Sequence, residues 1–340
     1  MRLERIAPIR PGADPLRTAD VPPPEAGPGQ VRLRVLTCGV CHTELDEIEG
    51  RTPPEALPRI PGHQVVGRID QVGAGADGSW MDRRVGVGWI YSACGQCDFC
   101  RRGLENLCAD FVATGRDVDG GYAEWMVAPA AFVAPVPDVL PDDLAAPLLC
   151  AGAIGFRSLA LTGLADGESL GLTGFGASGH LVLRMSRVRY PRSRVFVFAR
   201  SEAERALAMD LGAAWAGDTA EPAPEPLRAI IDTTPVWTPV VRALDQLAPG
   251  GRLVINAIRK EDVDKRVLLD LDYPRQLWLE KSLRSVANVT RDDIRGCLDL
   301  AAAHGIRPEV TTLPLEQANQ ALHDVKRGGG RGARVLVVGG

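Results

Sequence analysis

The fold class of this chain is decided by one stretch, SLGLTGFGASG, at Ser169–Gly179. Its first half is a short apolar run typical of a buried strand, and its second half is a Gly-x-Gly-x-x-Gly pattern that opens a helical stretch at 177–189. Such glycines permit a tight turn and let a pyrophosphate approach the N-terminus of the helix. The stretch therefore predicts a dinucleotide-binding turn, with an ordinary strand–helix turn as the alternative. The predicted cofactor-binding residues are Gly174, Gly176, Ala177, Ser178 and Gly179.

The sequence after this stretch alternates short apolar runs with helical patterns. Strands are predicted at 194–198, 229–232 and 252–255, and a helix is predicted at 202–211, just before Gly212. This alternation is typical of βαβ units around a parallel sheet. We therefore expect a doubly wound α/β domain in this part of the chain.

The end of the second predicted strand indicates which nicotinamide cofactor is bound. Enzymes that use NAD place an Asp or Glu there, about 20 residues after the glycines, to hold the ribose 2′-hydroxyl. Here the strand is followed by Ala199-Arg200-Ser201, which contains no carboxylate. Arg200 can pair with a 2′-phosphate and Ser201 can hydrogen-bond it, so the sequence predicts NADP(H) in preference to NAD(H). A solvated arginine at the start of a helix is the alternative.

The residues before about position 150 have a different pattern. Apolar and polar residues alternate at 31–36, and further short strands are predicted at 65–72 and 85–87, with glycine-rich turns between them. With 340 residues, the chain is long enough for two domains. We expect a β-rich domain followed by the α/β domain.

Composition argues against several classes of function. The net charge of −4 gives no indication of binding to nucleic acid or to anionic membranes. The longest apolar stretch, Leu144–Phe156, is short for a bilayer and contains Pro147, and the N-terminus has no apolar signal segment. We therefore expect a cytoplasmic protein that does not bind membranes. In a reducing compartment, the eight cysteines of the chain indicate metal binding rather than disulfides.

Four of the cysteines are clustered, as Cys94-x2-Cys97-x2-Cys100-x7-Cys108. Four thiolates in so short a loop can surround one zinc ion in a closed tetrahedron, with no open position for a substrate. The pattern therefore predicts a structural zinc site. An iron–sulfur cluster and four unbound thiols are the alternatives, although the spacing differs from the usual ferredoxin runs.

Three other segments contain possible metal ligands: Cys38-Gly39-Val40-Cys41-His42-Thr43-Glu44, Pro61-Gly62-His63-Gln64 and Leu148-Leu149-Cys150-Ala151-Gly152. Together with the four-cysteine loop and Gly120-Gly121-Tyr122-Ala123-Glu124, they resemble the zinc-containing alcohol dehydrogenases of the medium-chain dehydrogenase/reductase family, almost from end to end. The resemblance implies a GroES-like catalytic domain at 1–152 and 289–340, and a Rossmann nucleotide-binding domain at 153–288. It also implies a homodimer or a homotetramer.

The resemblance makes Cys41, His63 and Cys150 the ligands of a catalytic zinc. Two thiolates and one imidazole leave a fourth tetrahedral position open for the oxygen of an alcohol or a carbonyl compound. Taken singly, Cys150 could be a buried small apolar residue and His63 a loop histidine. The resemblance assigns no role to Cys38 or Cys297, which we interpret as buried thiols.

Neighbours of these ligands acquire roles through the same resemblance. Thr43 takes the place of a hydroxyl that relays the substrate proton, although it could instead cap a helix. Glu44 replaces an Asp that orients the histidine ligand. Asp46 replaces a relay histidine; its carboxylate can exchange protons with solvent, but a reference pKa of about 3.9 suits neutral pH less well. Gln64 replaces a glutamate, which removes a negative charge near the metal.

Two further residues are assigned to ligand contacts by the resemblance. His42 stands where relatives hold an Arg or His near the cofactor pyrophosphate, and an exposed loop histidine is the alternative. Trp89 matches a large residue of the substrate pocket in some bacterial relatives, and an ordinary buried indole is the alternative.

Taken together, these features predict an enzyme with two zinc ions per chain, one catalytic and one structural. It would transfer a hydride between NADP(H) and an alcohol, aldehyde or ketone. A reductase of the same family that acts on an enal double bond or an imine is a second interpretation. The third is a sensor or accessory protein that binds zinc and NADPH without enzymatic activity, although an open coordination position argues against it.

Overall fold

The computed structural model describes residues 1–328 and 332–338. The chain forms two units, one of Met1–Ala153 with Asn288–Gly340 and the other of Ile154–Ala287. The strands of the described residues, in chain order, are β1 (Arg2–Leu3), β2 (Leu16–Arg17), β3 (Gln30–Val40), β4 (Val65–Val72), β5 (Arg84–Val87), β6 (Ile90–Ser92), β7 (Val112–Ala113), β8 (Trp125–Pro129), β9 (Ala134–Pro135), β10 (Leu170–Thr173), β11 (Val195–Phe198), β12 (Trp215–Gly217), β13 (Leu227–Asp232), β14 (Leu247–Ile255), β15 (Ser282–Ser285), β16 (Val310–Pro314) and β17 (Ala333–Val337).

In chain order, the α-helices of the described residues are α1 (His42–Ile48), α2 (Asp98–Arg101), α3 (Asp142–Pro147), α4 (Ala153–Thr162), α5 (Ala177–Arg189), α6 (Glu202–Asp210), α7 (Thr238–Gln246), α8 (Tyr273–Gln276), α9 (Arg291–His304) and α10 (Ala318–Arg327). A π-helical turn, Leu148–Gly152, joins α3 to α4.

The second unit contains a six-stranded sheet with the strand order β12-β11-β10-β13-β14-β15, and every pairing in it is parallel. The first strand of the unit, β10, lies in the middle, and later strands are added outward on either side of it. This is the doubly wound arrangement, and it confirms the predicted Rossmann fold. β10 and β11 are buried at every position, as strands of a covered parallel sheet are.

The bounds predicted for α5 agree with the structure, but the predicted start of β14 was wrong. β14 begins at Leu247 rather than at Arg252, because Leu247 already pairs with Leu227 of β13 before a shift in register. The intervening Pro249-Gly250-Gly251 has the composition of a turn and is instead part of an irregular strand. A local pattern cannot distinguish these two cases, since the difference lies in the pairing partner.

The first unit is organised around β3, which pairs with β4, β8 and β17, all antiparallel. β17 comes from the C-terminal part of the chain and places Leu336 opposite Cys38, and β16 pairs with β17 in parallel. The pairing with β17 explains why β3 extends to Val40, beyond the predicted end at Leu36. The strand therefore ends immediately before Cys41. This sheet is the β-rich, GroES-like part of the predicted fold.

One helical run of the described residues, Asp142–Thr162, is long and apolar enough to cross a membrane by length and composition alone. It is longer than the apolar stretch singled out in the sequence, because Pro147 does not end it: the π-helical turn follows directly and α4 continues. In the most apolar window of the run, 61% is buried inside the protein. The core helix of a soluble protein passes the same test, so this helix is weak evidence for a membrane span.

Candidate metal centres and cofactor loop

Three potential metal ligands from distant parts of the chain meet in the first unit. Cys41 is the N-cap of α1 and follows β3 directly. His63 lies just before β4, and Cys150 lies in the π-helical turn. The ligand atoms of these three residues all lie within 4.8 Å of one another. The fold therefore brings together the three residues that the sequence predicted as one group.

The spacing of the three atoms fits a tetrahedral zinc site. His63 Nε2 lies 3.6 Å from Cys41 Sγ and 3.4 Å from Cys150 Sγ. Zinc bonds of about 2.3 Å to sulfur and about 2.0 Å to nitrogen place such ligands about 3.5 Å apart. Two thiolates and one imidazole are also a donor set that zinc prefers, and they leave one position of the tetrahedron to another ligand. The residues present fit the metal.

Glu44 fixes the orientation of His63. Its Oε1 lies 2.6 Å from His63 Nδ1, and its Oε2 accepts a hydrogen bond of 2.9 Å from the backbone N–H of Cys41. Glu44 is fully buried, so water does not compete for these contacts. Burial would raise the pKa of Glu44, but the imidazole of His63 and the hydrogen bonds outweigh it and hold the pKa below its ordinary value. Nδ1 is thus the ring nitrogen beside the carboxylate, and Nε2 is the one beside the two sulfurs.

Asp46 has a different environment from the one expected. Its side chain is 5% exposed and forms an ion pair with Arg51, while its backbone carbonyl accepts the N–H groups of Arg51 and Thr52. The expectation that this carboxylate exchanges protons with solvent does not fit, because it is shielded and already paired. Thr43, the second residue of α1, is half-buried, and its backbone N–H donates to Cys41 Sγ at 3.4 Å. His42, the first residue of α1, is exposed.

Trp89 lies beside the ligand group. Its ring centroid is 6.4 Å from that of His63 and 5.5 Å from that of Phe111. The guanidinium of Arg116 lies over the indole, 5.2 Å from its centroid, and is held there by Asp117 at 2.7 and 2.8 Å. Trp89 is half-buried. Aromatic surface thus adjoins the candidate catalytic metal site.

Glu47 is a residue near the site that the sequence did not single out. It lies one helical turn after Thr43 on α1 and is 2% exposed. Burial, reinforced by the charge of Glu44, raises the pKa of Glu47 to about 8, although His63, Trp89 and Arg116 act in the opposite direction. In the sequence, the only indication that Glu47 lies near the site was its i+4 spacing from Thr43, and such spacings are common on any helix.

The four clustered cysteines form a second candidate metal site in the first unit. Their sulfurs all lie within 4.8 Å of one another, with Cys94 Sγ 3.5 Å from Cys108 Sγ and 3.9 Å from Cys100 Sγ. Zinc–sulfur bonds of about 2.3 Å place tetrahedral sulfur ligands about 3.8 Å apart. Backbone N–H groups point at the sulfurs, and those of Gln96 and Cys97 lower the pKa of the Cys94 thiol to about 7. Burial and the neighbouring Cys97 thiol raise the pKa of Cys100 to about 12, so it is the convergence of the four sulfurs that indicates a metal site.

The remaining cysteines lie outside both ligand groups. Cys38 and Cys297 are 0% and 1% exposed, and burial raises the pKa of each thiol. Cys297 packs under the π-helical turn, since a side chain at Gly152 would meet its sulfur at 2.9 Å. Gln64 is also buried and lies against Gly39.

The glycine-rich turn of the second unit has the geometry of an anion-binding loop. Gly174 has a φ of +82°, and a side chain there would meet Thr233 Oγ1 at 2.7 Å. A side chain at Gly179 would meet the carbonyl oxygen of Gly174 at 2.8 Å, so α5 packs closely against the turn. Gly176 is the N-cap of α5, has no side-chain cap and has open space around its Cβ position. The backbone N–H groups of Ala177 and Ser178 begin the helix here, where an anion is favoured.

Arg200 and Ser201 follow β11 at the same edge of the sheet. Both are exposed, and Ser201 is the N-cap of α6 without forming a side-chain cap. Within residues 1–328 and 332–338, no acidic side chain pairs with Arg200. Two polar side chains are therefore exposed at the end of β11.

A buried ion pair at the ends of the neighbouring strands was not predicted. Asp232, the last residue of β13, pairs with Lys260, and the two side chains are 0% and 6% exposed. Asp232 Oδ1 also accepts a hydrogen bond of 2.7 Å from the hydroxyl of Thr173, the residue before Gly174. No local sequence pattern predicts an ion pair between residues 28 positions apart, one of which lies in a loop.

Comparison with known proteins agrees with this architecture. Residues 27–138 match the family described as the alcohol dehydrogenase GroES-like domain. The chain is 42% identical over 337 residues to the probable alcohol dehydrogenase AdhA of Mycobacterium tuberculosis (strain CDC 1551 / Oshkosh). That alignment covers 97% of this chain and 95% of the relative. It is 33% identical over 332 residues to an alcohol dehydrogenase of Geobacillus stearothermophilus, with 94% of this chain and 95% of that protein covered. A solved cinnamyl alcohol dehydrogenase of Sorghum bicolor has a TM-score of 0.80 at 27% identity, covering 93% of this chain and 92% of that chain.

These matches extend over nearly the whole chain, so they include the GroES-like sheet, both cysteine groups and the doubly wound sheet with its glycine turn. On that basis the chain belongs to the zinc-containing alcohol dehydrogenases of the medium-chain dehydrogenase/reductase family.

Proposed function

We propose that this protein is a zinc-dependent enzyme that transfers a hydride between NADP(H) and an alcohol, aldehyde or ketone. Membership of the family identifies the protein as an oxidoreductase. The dependence on zinc, the preference for NADP(H) and the substrate class are proposed here. The observation that carries it is the group of Cys41, His63 and Cys150, whose ligand atoms converge while Glu44 engages the far side of the imidazole. Such a group with three ligands is characteristic of a catalytic rather than a closed structural site.

Each residue of the site has a defined task in this proposal. The two thiolates and His63 Nε2 hold the metal, and Glu44 keeps the imidazole in the tautomer that leaves Nε2 unprotonated. Bound zinc supplies a Lewis acid for the substrate oxygen, and the nicotinamide supplies the acceptor or donor of the hydride. Trp89 provides apolar surface beside the ligand histidine, where the carbon skeleton of a substrate would lie.

The proton of the alcohol would pass to the Oγ1 atom of Thr43, two residues after Cys41 at the start of α1. A hydroxyl suits this step because it accepts the alcohol proton while its own proton passes to solvent water, which the half-buried Thr43 can reach. Asp46 has a structural role in this proposal, since its pairing with Arg51 holds the C-terminal end of α1. His42 is exposed at the first position of α1, where its imidazole can contact an anionic ligand.

The four-cysteine loop would bind a second, structural zinc, which gives two zinc ions per chain. Four convergent thiols in one loop support this assignment, because such a closed set leaves no position for a substrate. None of the eight cysteines, which all lie in the described residues, forms a disulfide. Thiols persist in a reducing compartment, and we place the protein in the cytoplasm.

NADP(H) would bind at the carboxyl ends of β10 and β11 in the second unit. The turn from Gly174 to Gly179 would hold the pyrophosphate, and Arg200 with Ser201 would bind the 2′-phosphate. We accordingly assign residues 153–288 to nucleotide binding, and residues 1–152 with 289–340 to catalysis. NAD(H) lacks the 2′-phosphate and would bind more weakly.

The second unit offers a surface for a homodimer. β15 is the edge strand of the six-stranded sheet, and all four of its residues are exposed. Leu283 lies in this strand and is 47% exposed, and the same unit has other exposed apolar side chains, with Trp278 at 57% and Leu269 at 81%. An exposed edge of this kind can pair with the same strand of a second copy around a twofold axis. A tetramer would need a further surface in addition to this one.

Turnover assays test this proposal. Zinc-loaded protein would be incubated with panels of alcohols, aldehydes, ketones, enals and imines, and the near-ultraviolet absorbance of the reduced cofactor would be followed with NADP(H) and with NAD(H). We expect turnover of alcohols and carbonyl compounds, loss of activity on chelation and recovery with zinc. Turnover confined to enals or imines would instead identify the other reductase activity. Absence of turnover with every substrate would favour a sensor, and a higher kcat/KM with NAD(H) would refute the cofactor assignment.

A further inference from the structure

The ion pair between Asp232 and Lys260 lies at the point of the second unit where the strand order reverses. Thr173 and Asp232 are the last residues of β10 and β13 and are direct partners in the parallel sheet. In doubly wound sheets, ligands bind outside the carboxyl ends of the strands at this switch point. The pair is therefore situated next to the loops that would surround the nicotinamide cofactor.

Every polar atom of the two charged groups has a partner within the protein. Lys260 Nζ donates to Asp232 Oδ2, to the carbonyl of Thr234 and, at 3.1 Å, to the carbonyl of Val236. Asp232 Oδ1 accepts the hydroxyl groups of Thr173 and Thr234, each at 2.7 Å. An ammonium has three protons to donate, and all three are used here. Fully satisfied buried networks of this kind fix one arrangement of the groups that they join.

The network joins three loops that are separate in sequence. Thr173 leads into the glycine turn after β10, the carbonyls of Thr234 and Val236 belong to the loop after β13, and Lys260 belongs to the loop after β14. The side chain of Thr233 also contacts the turn, because its hydroxyl donates to the carbonyl of Thr173 at 3.0 Å.

Two neighbouring contacts bind the second and third loops further. The N–H of Glu261 donates to the carbonyl of Pro235 at 2.7 Å. The carboxylate of Asp264 accepts the N–H groups of Trp237 and Thr238, at 2.9 and 2.7 Å. From the same loop after β14, Lys260 reaches the buried Asp232.

Stability alone does not account for a buried pair at this position. Removing two charges from water has a large cost, and an apolar pair of similar volume is often as stable or more stable. What an apolar pair cannot reproduce is the set of directed bonds to Thr173, Thr234 and Val236. These directed bonds fix the positions of the groups that they join.

We propose that Lys260 and Asp232 are positioning residues for the cofactor: their ion pair holds the glycine turn and the loops after β13 and β14 in the arrangement that binds NADP(H). This inference rests on the proposed function, because it assumes that the second unit binds this cofactor. Neither side chain needs to touch the cofactor, since the pair acts through the turn at Gly174 and the two loops.

The decisive variant replaces both charges at once. Lys260→Met alone leaves the buried carboxylate of Asp232 without its partner, so both stability and NADPH binding should fall. The double variant Asp232→Leu/Lys260→Met removes the uncompensated charge and should recover most of the thermal stability. It should still bind NADPH roughly 10- to 100-fold more weakly than the wild type, because misplaced loops cost affinity even in a stable fold. Lys265→Met is the matched control, because Lys265 is an exposed lysine of the same region that pairs with Asp262.

The measurements are the thermal midpoint and the NADPH dissociation constant of zinc-loaded full-length protein, the latter from calorimetric titration. Kinetic assays should also show a raised KM for NADPH in the double variant, with a smaller change in kcat. A double variant that recovers stability and binds NADPH like the wild type would overturn this inference and leave the proposed function intact. A wild-type protein that binds neither NADPH nor NADH would overturn both.

Discussion

Oε1 of Glu44 lies 2.6 Å from Nδ1 of His63, and both side chains are buried, at 0% and 1% exposure. The contact joins the first turn of α1 to the loop before β4 and sets which nitrogen of the imidazole faces Cys41 and Cys150. Carboxylates in this position raise the basicity of a histidine ligand and fix its ring.

Replacing Glu44 should therefore weaken the catalytic metal site without removing a ligand. We expect Glu44→Gln to lower zinc affinity at this site by about 10- to 100-fold, because the charge that supports His63 is lost. Competition with a chelator of known affinity measures the effect. Glu44→Asp is the matched control, since it keeps the charge, and its loss should be smaller. Equal zinc affinity in the Gln variant and the wild type would contradict this role.

A second prediction concerns the choice of cofactor. Arg200→Asp should lower kcat/KM for NADP(H) by roughly 10- to 100-fold, because a charge-assisted contact to the 2′-phosphate is replaced by repulsion. The same carboxylate can hold a ribose 2′-hydroxyl, so the value for NAD(H) should rise. Arg266→Asp, which changes another exposed arginine of the second unit, should leave the ratio of the two values as it is. An unchanged ratio in the Arg200 variant would exclude this residue from the 2′-phosphate site.

The predicted dimer can be tested through its edge strand. Leu283 lies in β15 and is 47% exposed. Leu283→Lys should convert the dimer to a monomer, because a charge at the centre of a paired edge must be buried against its own copy. Light scattering coupled to size-exclusion chromatography reports the mass. Val139→Lys, at an exposed position of the first unit, is the control and should remain dimeric. A Leu283→Lys protein of unaltered mass would place the interface elsewhere.

Glu49 should make stability dependent on pH. Burial by itself would raise its pKa, but hydrogen bonds from Lys326 and Arg51, and from the N–H of Ile9, lower it to about 2. Because the folded pKa is below the unfolded value, the stabilisation is present above about pH 4.5 and is lost as the pH falls towards 2. Glu49→Gln should thus lower the free energy of unfolding by roughly 1–2 kcal/mol at pH 7, and by progressively less at lower pH.

Urea unfolding of wild type and Glu49→Gln between pH 3.5 and pH 7 measures this difference. The exposed Glu4 offers a control, and Glu4→Gln should match the wild type throughout. A difference between the Glu49 variant and the wild type that stays constant over the pH range would show that Glu49 is not held ionised by these partners.

Much of the fold was accessible from sequence because its signals are local. The glycines of the turn, the apolar run of β10 and the pattern of α5 all lie within about twenty residues, and each has a fixed physical meaning. The two groups of metal ligands were also accessible, because cysteine and histidine at these spacings have few other uses.

The features that were missed depend on partners distant in the chain. β3 extends to Val40 because β17 pairs with it, and β14 begins at Leu247 because Leu227 is its neighbour. The shielding of Asp46 depends on the side chain of Arg51 folding back on α1. Lys260 in turn belongs to a loop whose sequence does not indicate a buried position.

The zinc content of purified protein tests the central claim most directly. Elemental analysis of the wild type should give two zinc ions per chain, and Cys150→Ser should give one, with loss of alcohol oxidation and an intact four-cysteine site. A Cys150→Ser protein that keeps two zinc ions, or a wild type that oxidises alcohols fully after its zinc has been removed, would contradict the account.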